Sequence, residues 1–176
     1  MKFLLKLGIG LVALVLVLVG VAYLLPREYR VQRSLHIQAT AETVYSYTGD
    51  LRRWKEWGVW FERDPKMKIE YSEKTDQVGS WSAWESKGQK GKMTLTRLQR
   101  PTQVAYRLEF PDMGMSSLGL VEIVPDAGGV NVTLSDEGDL GLNPINRWFG
   151  LFLDRMIGPD FEAGLAKLKQ VTEKAS

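Results

Sequence analysis

The residues of this 176-residue chain whose types could do chemistry are few and scattered. His36 is the only histidine and there is no cysteine. A nucleophile–histidine triad therefore has one candidate base, and a tight zinc site has almost no ligands. His36 alternates with the apolar residues around it, which puts it on the polar side of a strand. No phosphate-cradling or dinucleotide-type glycine motif occurs. Glu85, Glu109, Glu122 and Glu137 fall on predicted strands, where carboxylates usually face water, and their spacing brings no two of them together. These positions assign no catalytic residue, no cofactor and no metal.

Two arginines break the pattern around them. Arg33 falls among Tyr29, Val31, Leu35 and Ile37, and Arg97 is in phase with the apolar face of its own strand. A guanidinium on such a face needs a carboxylate or several carbonyls. The aromatics Trp54, Trp57, Trp60 and Phe61 crowd into eight residues. They fit three roles: a staple holding short helices to a sheet, a gate at a cavity mouth, or a contact with lipid headgroups, which tryptophan favours.

The elements that must position these residues follow from the switch between period two and period 3.6. Tyr29, Val31, Leu35 and Ile37 alternate with Arg30, Gln32, Ser34, His36 and Gln38 to give a half-buried first strand. Ala39-Thr40 offers a cap for a short helix over Ala41–Tyr47, and Asp50 caps a second one through Trp54 and Trp57. Strands are then expected at Met67–Glu73, Val78–Ser86, Gly91–Arg100, Thr102–Phe110, Met115–Val124 and Val130–Glu137. Gly88, Pro101, Pro111-Asp112, Pro125-Asp126 and Gly128-Gly129 separate them. The short connections make neighbouring strands antiparallel. Asn143-Pro144 starts a final amphipathic helix, with an interruption expected at Gly158-Pro159.

Ahead of this domain runs Leu7 through Leu25, nineteen residues without a charge. At about 1.5 Å per residue the run reaches about 28 Å, close to the hydrocarbon thickness of a bilayer. Residues 1–26 are read as an uncleaved transmembrane anchor; the alternative is a signal peptide cut near Gly20-Val21-Ala22. The rest of the chain is expected on the extracytoplasmic side of a single span. Residues 27–176 form one domain of a size that supports a real core. Without Lys2 and Lys6, 21 basic residues balance 21 acidic ones, and nothing in the sequence resembles the basic footprint that nucleic-acid binding needs.

The order of elements resembles the helix-grip fold of the START-like, Bet v 1-like (SRPBCC) superfamily, an α+β fold with a curved antiparallel sheet around a long C-terminal helix. Local stretches resemble its polyketide cyclase/dehydrase and lipid-transport group: Val31-Gln32-Arg33-Ser34, Ile37-Gln38-Ala39, Val44-Tyr45, Asp50 with Trp54, Trp57 and Trp60, Gly79 with Trp84-Glu85, Lys92-Met93-Thr94-Leu95-Thr96, Pro101, and Gly158 through Lys169. The resemblance implies that first and last strands are neighbours. Asp136, in phase with Val132 and Leu134, is then a partner for Arg33, unless Arg33 serves as a hook for an acidic ligand head.

The resemblance also implies a deep cavity between sheet and helix, as does the geometry of a long helix over a strongly curved sheet. Met93, Leu95, Tyr106 and Leu108 on the sheet and Trp148, Phe152 and Met156 on the helix are the expected lining, with Trp57 and Trp60 near the mouth and Arg33 as the candidate contact for an acidic ligand head. The alternative for each is plain core. Two function classes follow: membrane-anchored binding or transport of a hydrophobic small molecule or lipid, and a polyketide cyclase/dehydratase in which a cavity carboxylate or Tyr106 moves a proton; a third, less favoured, is a protein-interaction domain whose cavity is closed. The missing acid/base pair favours binding.

Overall fold

The period-two segments become seven antiparallel strands: β1 (Glu28–Ile37), β2 (Lys68–Tyr71), β3 (Trp81–Ser86), β4 (Gln89–Gln99), β5 (Gln103–Phe110), β6 (Met115–Asp126) and β7 (Gly129–Asp139). They form one curved sheet in the order β1-β7-β6-β5-β4-β3-β2. The computed structural model describes residues 2–175, apart from the side chains of Lys2 and Leu5. First and last strands pair without a break, from Glu28 opposite Asp139 to Ile37 opposite Val130.

Between β1 and β2 the chain forms α2 (Ala41–Thr48), a 3₁₀ turn at Leu51–Glu56 and α3 (Trp60–Arg63). Thr40 accepts from the Thr43 amide and Asp50 from the Arg52 amide, so both expected caps are present. Trp54 and Trp57 are buried, and their indoles donate to the Thr48 carbonyl at 2.8 Å and the Tyr47 carbonyl at 3.2 Å. These two rings are the staple; Trp60 and Phe61 are half-buried against the same cluster. Ion pairs from Arg63 to Asp160 and from Lys167 to Glu62 tie α3 to the C-terminal helix.

The final helix divides earlier than expected, into α4 (Pro144–Gly150) and α5 (Leu153–Lys174). Asn143 caps α4 through the Ile145 amide. The break comes where the Leu151 and Phe152 amides bond only three residues back, to Trp148 at 3.3 Å and Phe149 at 3.0 Å. Pro159 lies inside α5. It forfeits one amide donor, and the burial of Phe161, Leu165 and Leu168 carries the helix past it. α5 lies across the inner face of the sheet along β1, with Gly158 against the guanidinium of Arg33.

A second departure concerns Arg97. The β4–β5 register runs to Leu95 opposite Tyr106 and resumes at Arg97 opposite Ala105. That bulge reverses the phase: Arg97 is exposed, and Leu98 packs on the core in its place.

Before the sheet, α1 (Lys2–Ala22) is one continuous helix. Among the described residues, no helix is long and apolar enough to cross a membrane. The apolar sequence itself continues past the helix through Tyr23, Leu24 and Leu25.

Candidate functional site

Strand register assembles the site. On the inner face, Met93 of β4 stands opposite Leu108 of β5, Leu108 opposite Ser117 of β6, Ser117 opposite Gly138 of β7, and Gly138 opposite Tyr29 of β1. One residue pair further along each strand, a second row reads Leu95, Tyr106, Gly119, Asp136, Val31. The second row is a sealed floor: Leu95, Tyr106, Asp136 and Val31 are all at most 4% exposed. In the first row Met93, Leu108 and Tyr29 are half-exposed. The first row is thus the rim of the concave face, at the end of the sheet where β1 begins and β7 ends.

Asp136 is the acid of this site. Its carboxylate accepts from the Tyr29 hydroxyl at 2.9 Å and the Ser117 hydroxyl at 2.8 Å. Burial pushes its pKa up, only partly opposed by those two hydrogen bonds. Burial, reinforced by the nearby Asp136 charge, pushes the phenols of Tyr29 and Tyr106 well above their usual range, so both stay protonated. Gly119 leaves room for the Tyr106 ring, which lies where a Cβ at 119 would be. Tyr106 in turn meets Trp54 edge to face at 5.0 Å.

The sign of the Asp136 shift gives a test. Its stability contribution is complete below its unfolded pKa of about 3.9 and is lost as pH rises through the higher folded value. The melting temperature of Asp136→Asn, which carries no charge, should therefore gain on the parent as pH rises from about 4 to 7. A constant difference would place the carboxyl in water.

The expected Arg33–Asp136 pair does not form. Arg33 reaches over the inner face to α5, donating to Asp154 at 2.8 and 3.0 Å and to Glu162 at 2.7 Å. Both carboxylates are more than half exposed, so this is a surface network whose removal costs far less than breaking a buried pair. Asp136 finds its partners on its own sheet.

The remaining lining candidates separate cleanly. Leu95, Tyr106 and Trp57 belong to the packed core. Met93, Leu108 and Trp60 are half-buried at its open side, and Trp148 is half-buried on α4. Phe152 and Met156 face solvent. Tyr29 and Ser117 are the residues that sequence reasoning missed; the signal for Ser117 was a small polar residue in the inward register of an apolar strand.

Two cavities border this end of the sheet, neither lined by Met93, Leu95, Tyr106 or Leu108. One, of about 180 Å³, lies between Tyr29 and Val31 of β1 and Leu140, Arg147, Leu151 and Leu153. The other, of about 550 Å³, is lined by Tyr29, Ser117 and Gly138 and by the outward residues Arg30, Arg107 and Glu137. Tyr29 lines both, and each hydroxyl that holds Asp136 lines the larger. Among the described residues, no group of three or more His, Cys, Asp or Glu could hold a metal.

The fold has solved counterparts. A protein of unknown function from Staphylococcus aureus, SA2116, matches with a TM-score of 0.63 and 14% identity over 84% of this chain and 95% of its own. The di-domain ARO/CYC StfQ from the steffimycin biosynthetic pathway matches with a TM-score of 0.62 and 13% identity over 84% of this chain and 51% of its own. Protein CV1439 from Chromobacterium violaceum gives 0.55 and 17% identity over 84% of this chain and 98% of its own. At such identities the likeness is one of fold. No curated protein matches the chain significantly. The family model for polyketide cyclase / dehydrase and lipid transport matches residues 28–173, from the first residue of β1 to the last turn of α5. The chain belongs to that family.

Proposed function

We propose that this protein is a membrane-anchored binder of a hydrophobic small molecule or lipid, taken up at the rim of the concave sheet with its polar group toward Tyr29, Ser117 and Asp136. The observation that carries this reading is the rim row itself. Apolar Met93 and Leu108 are only partly buried against the core, in line with the two hydroxyls that hold a buried acid. Exposed apolar surface beside a few fixed polar groups is what a ligand site offers. Family membership supports the chemical class, and α1 supports the anchor: its side chains from Leu7 to Val17 are apolar and exposed on all sides, with no core to cover them. The domain then stands on the extracytoplasmic side of a single span.

Extraction and mass spectrometry of what co-purifies with the full chain identifies the ligand. Met93→Trp and Leu108→Trp, which fill the rim, should each weaken binding of a long-chain apolar probe at least tenfold with the melting temperature kept. Leu95→Trp overfills the core and should instead cost about 1–3 kcal/mol of stability. If the rim variants bind like the parent, the ligand does not lie there.

The cyclase/dehydratase reading keeps one observation in its favour, the raised pKa of Asp136 in contact with two hydroxyls. It requires that Asp136→Asn bind the ligand but turn nothing over.

A further inference from the structure

Between Asp139 and Asp154 lie fourteen residues with a single charge, Arg147. That charge is turned inward: its Nη1 donates to the Tyr23 carbonyl at 3.1 Å and the Leu25 carbonyl at 3.4 Å, and its Nε donates to Gly141 at 3.3 Å. The guanidinium also lies over the Tyr23 ring at 5.3 Å. Next to it, the Trp148 indole donates to the Leu18 carbonyl at 3.2 Å. These contacts hold α4 beside the last turn of α1 and leave the outer side of α4 and the start of α5 bare. Leu142, Ile145, Phe149, Leu151 and Phe152 are between 43% and 74% exposed.

We propose that this face lies in the headgroup zone of the bilayer that α1 crosses, so that α4 is an interfacial helix and the domain rests on the membrane. The proposal rests on the anchor reading above. Leu18 precedes the end of α1 by four residues, or about 6 Å along the helix, which matches the 5–10 Å to which interfacial helices sink their apolar side. A protein partner is disfavoured by the same geometry. The segment carries no acidic residue and uses its one cation internally, so nothing on it selects a partner by charge, and lipid around α1 would occupy the adjoining space. Leu140, Leu151 and Leu153 of this segment also wall the cavity of about 180 Å³ that reaches Tyr29. Docking therefore brings that cavity to the lipid, where an apolar ligand would enter.

Because the chain has no cysteine, single nitroxide labels test this in the full-length protein reconstituted into phosphatidylcholine vesicles. Labels at Ile145→Cys and Phe149→Cys are compared with Val15→Cys inside α1 and Val124→Cys at the far end of β6, using collisional access of oxygen against a water-soluble nickel chelate. The oxygen-to-nickel ratio at 145 and 149 should rise several-fold above that at 124, approaching that at 15. A ratio at 145 and 149 equal to that at 124, with 15 still shielded from nickel, overturns the docking and leaves the anchor standing. Nickel access at 15 overturns the anchor and the docking with it. Shielding of 145 and 149 from both reagents means protein covers the face, which also overturns the proposal.

Discussion

Trp57→Ala should cost about 3–5 kcal/mol of domain stability, the range for removing a fully buried large aromatic. Trp57 is 1% exposed, sits 4.7 Å from the Trp54 ring and packs against α5 at Gly164. It is therefore the point where the 3₁₀ turn, α2 and the C-terminal helix meet. Its indole also satisfies the Tyr47 carbonyl, so truncation leaves both a void and an unpaired acceptor. For a domain of this size the melting temperature should fall by on the order of 10 °C. Denaturant and thermal unfolding measure the loss. A loss below about 1 kcal/mol would mean that the ring is not part of the core, and the staple role would pass to Trp54 alone.

How far the sequence disclosed this arrangement depended on what each residue's signal encoded. Alternation along β1 and β7 was strong because one face of each strand is buried, and it put Tyr29, Val31, Leu134 and Asp136 on the inner side. Caps at Thr40, Asp50 and Asn143 were legible because a side-chain acceptor for orphan amides is a local device. Arg97 was misplaced because alternation assumes an unbroken ladder, and a bulge leaves no residue signature that periodicity detects. The division between α4 and α5 fell at Leu151–Phe152 rather than at Gly158-Pro159 because Gly158 serves packing against Arg33, a tertiary need that looks like a helix break in one dimension.

The site was half legible for a related reason. Arg33 and Asp136 were each correctly set on the inner face, but phase alone does not choose partners. Arg33 has a long side chain able to reach Asp154 and Glu162 on α5, where exposed carboxylates keep their hydration, whereas Asp136 is short and takes the hydroxyls beside it. Partner choice followed side-chain reach and solvation, which are properties of the packed layers. The same limit applied to the lining candidates: sequence phase put Met93 and Leu95 on one face and could not tell rim from floor, because both share the strand's period and only tertiary packing separates them.

The second large effect concerns α1. A chain that starts at Arg27 should remain in solution after alkaline carbonate treatment of membranes, while the full-length chain stays in the membrane fraction. Thirteen Leu, Ile and Val residues lie between Leu7 and Leu25 with no charge among them. At about 0.3–0.6 kcal/mol each for insertion near a helix centre, they favour the bilayer by about 4–8 kcal/mol, a partition of roughly a thousandfold or more. The domain should fold without them, because its first residue is held independently of α1. Arg27 pairs with Asp139 at 2.6 Å, and its carbonyl accepts from the Leu140 amide at 2.8 Å. Arg147 loses the Tyr23 and Leu25 carbonyls but keeps Gly141. The shortened chain should therefore show the parent's cooperative unfolding transition, slightly lowered, and the parent's affinity for an apolar probe presented in solution. Uptake from vesicles should drop sharply, since tethering no longer concentrates the site at the lipid surface. Full-length protein released by carbonate, or a mature form beginning at Tyr23, would show instead that the segment is a cleaved leader and that the domain works free of the membrane.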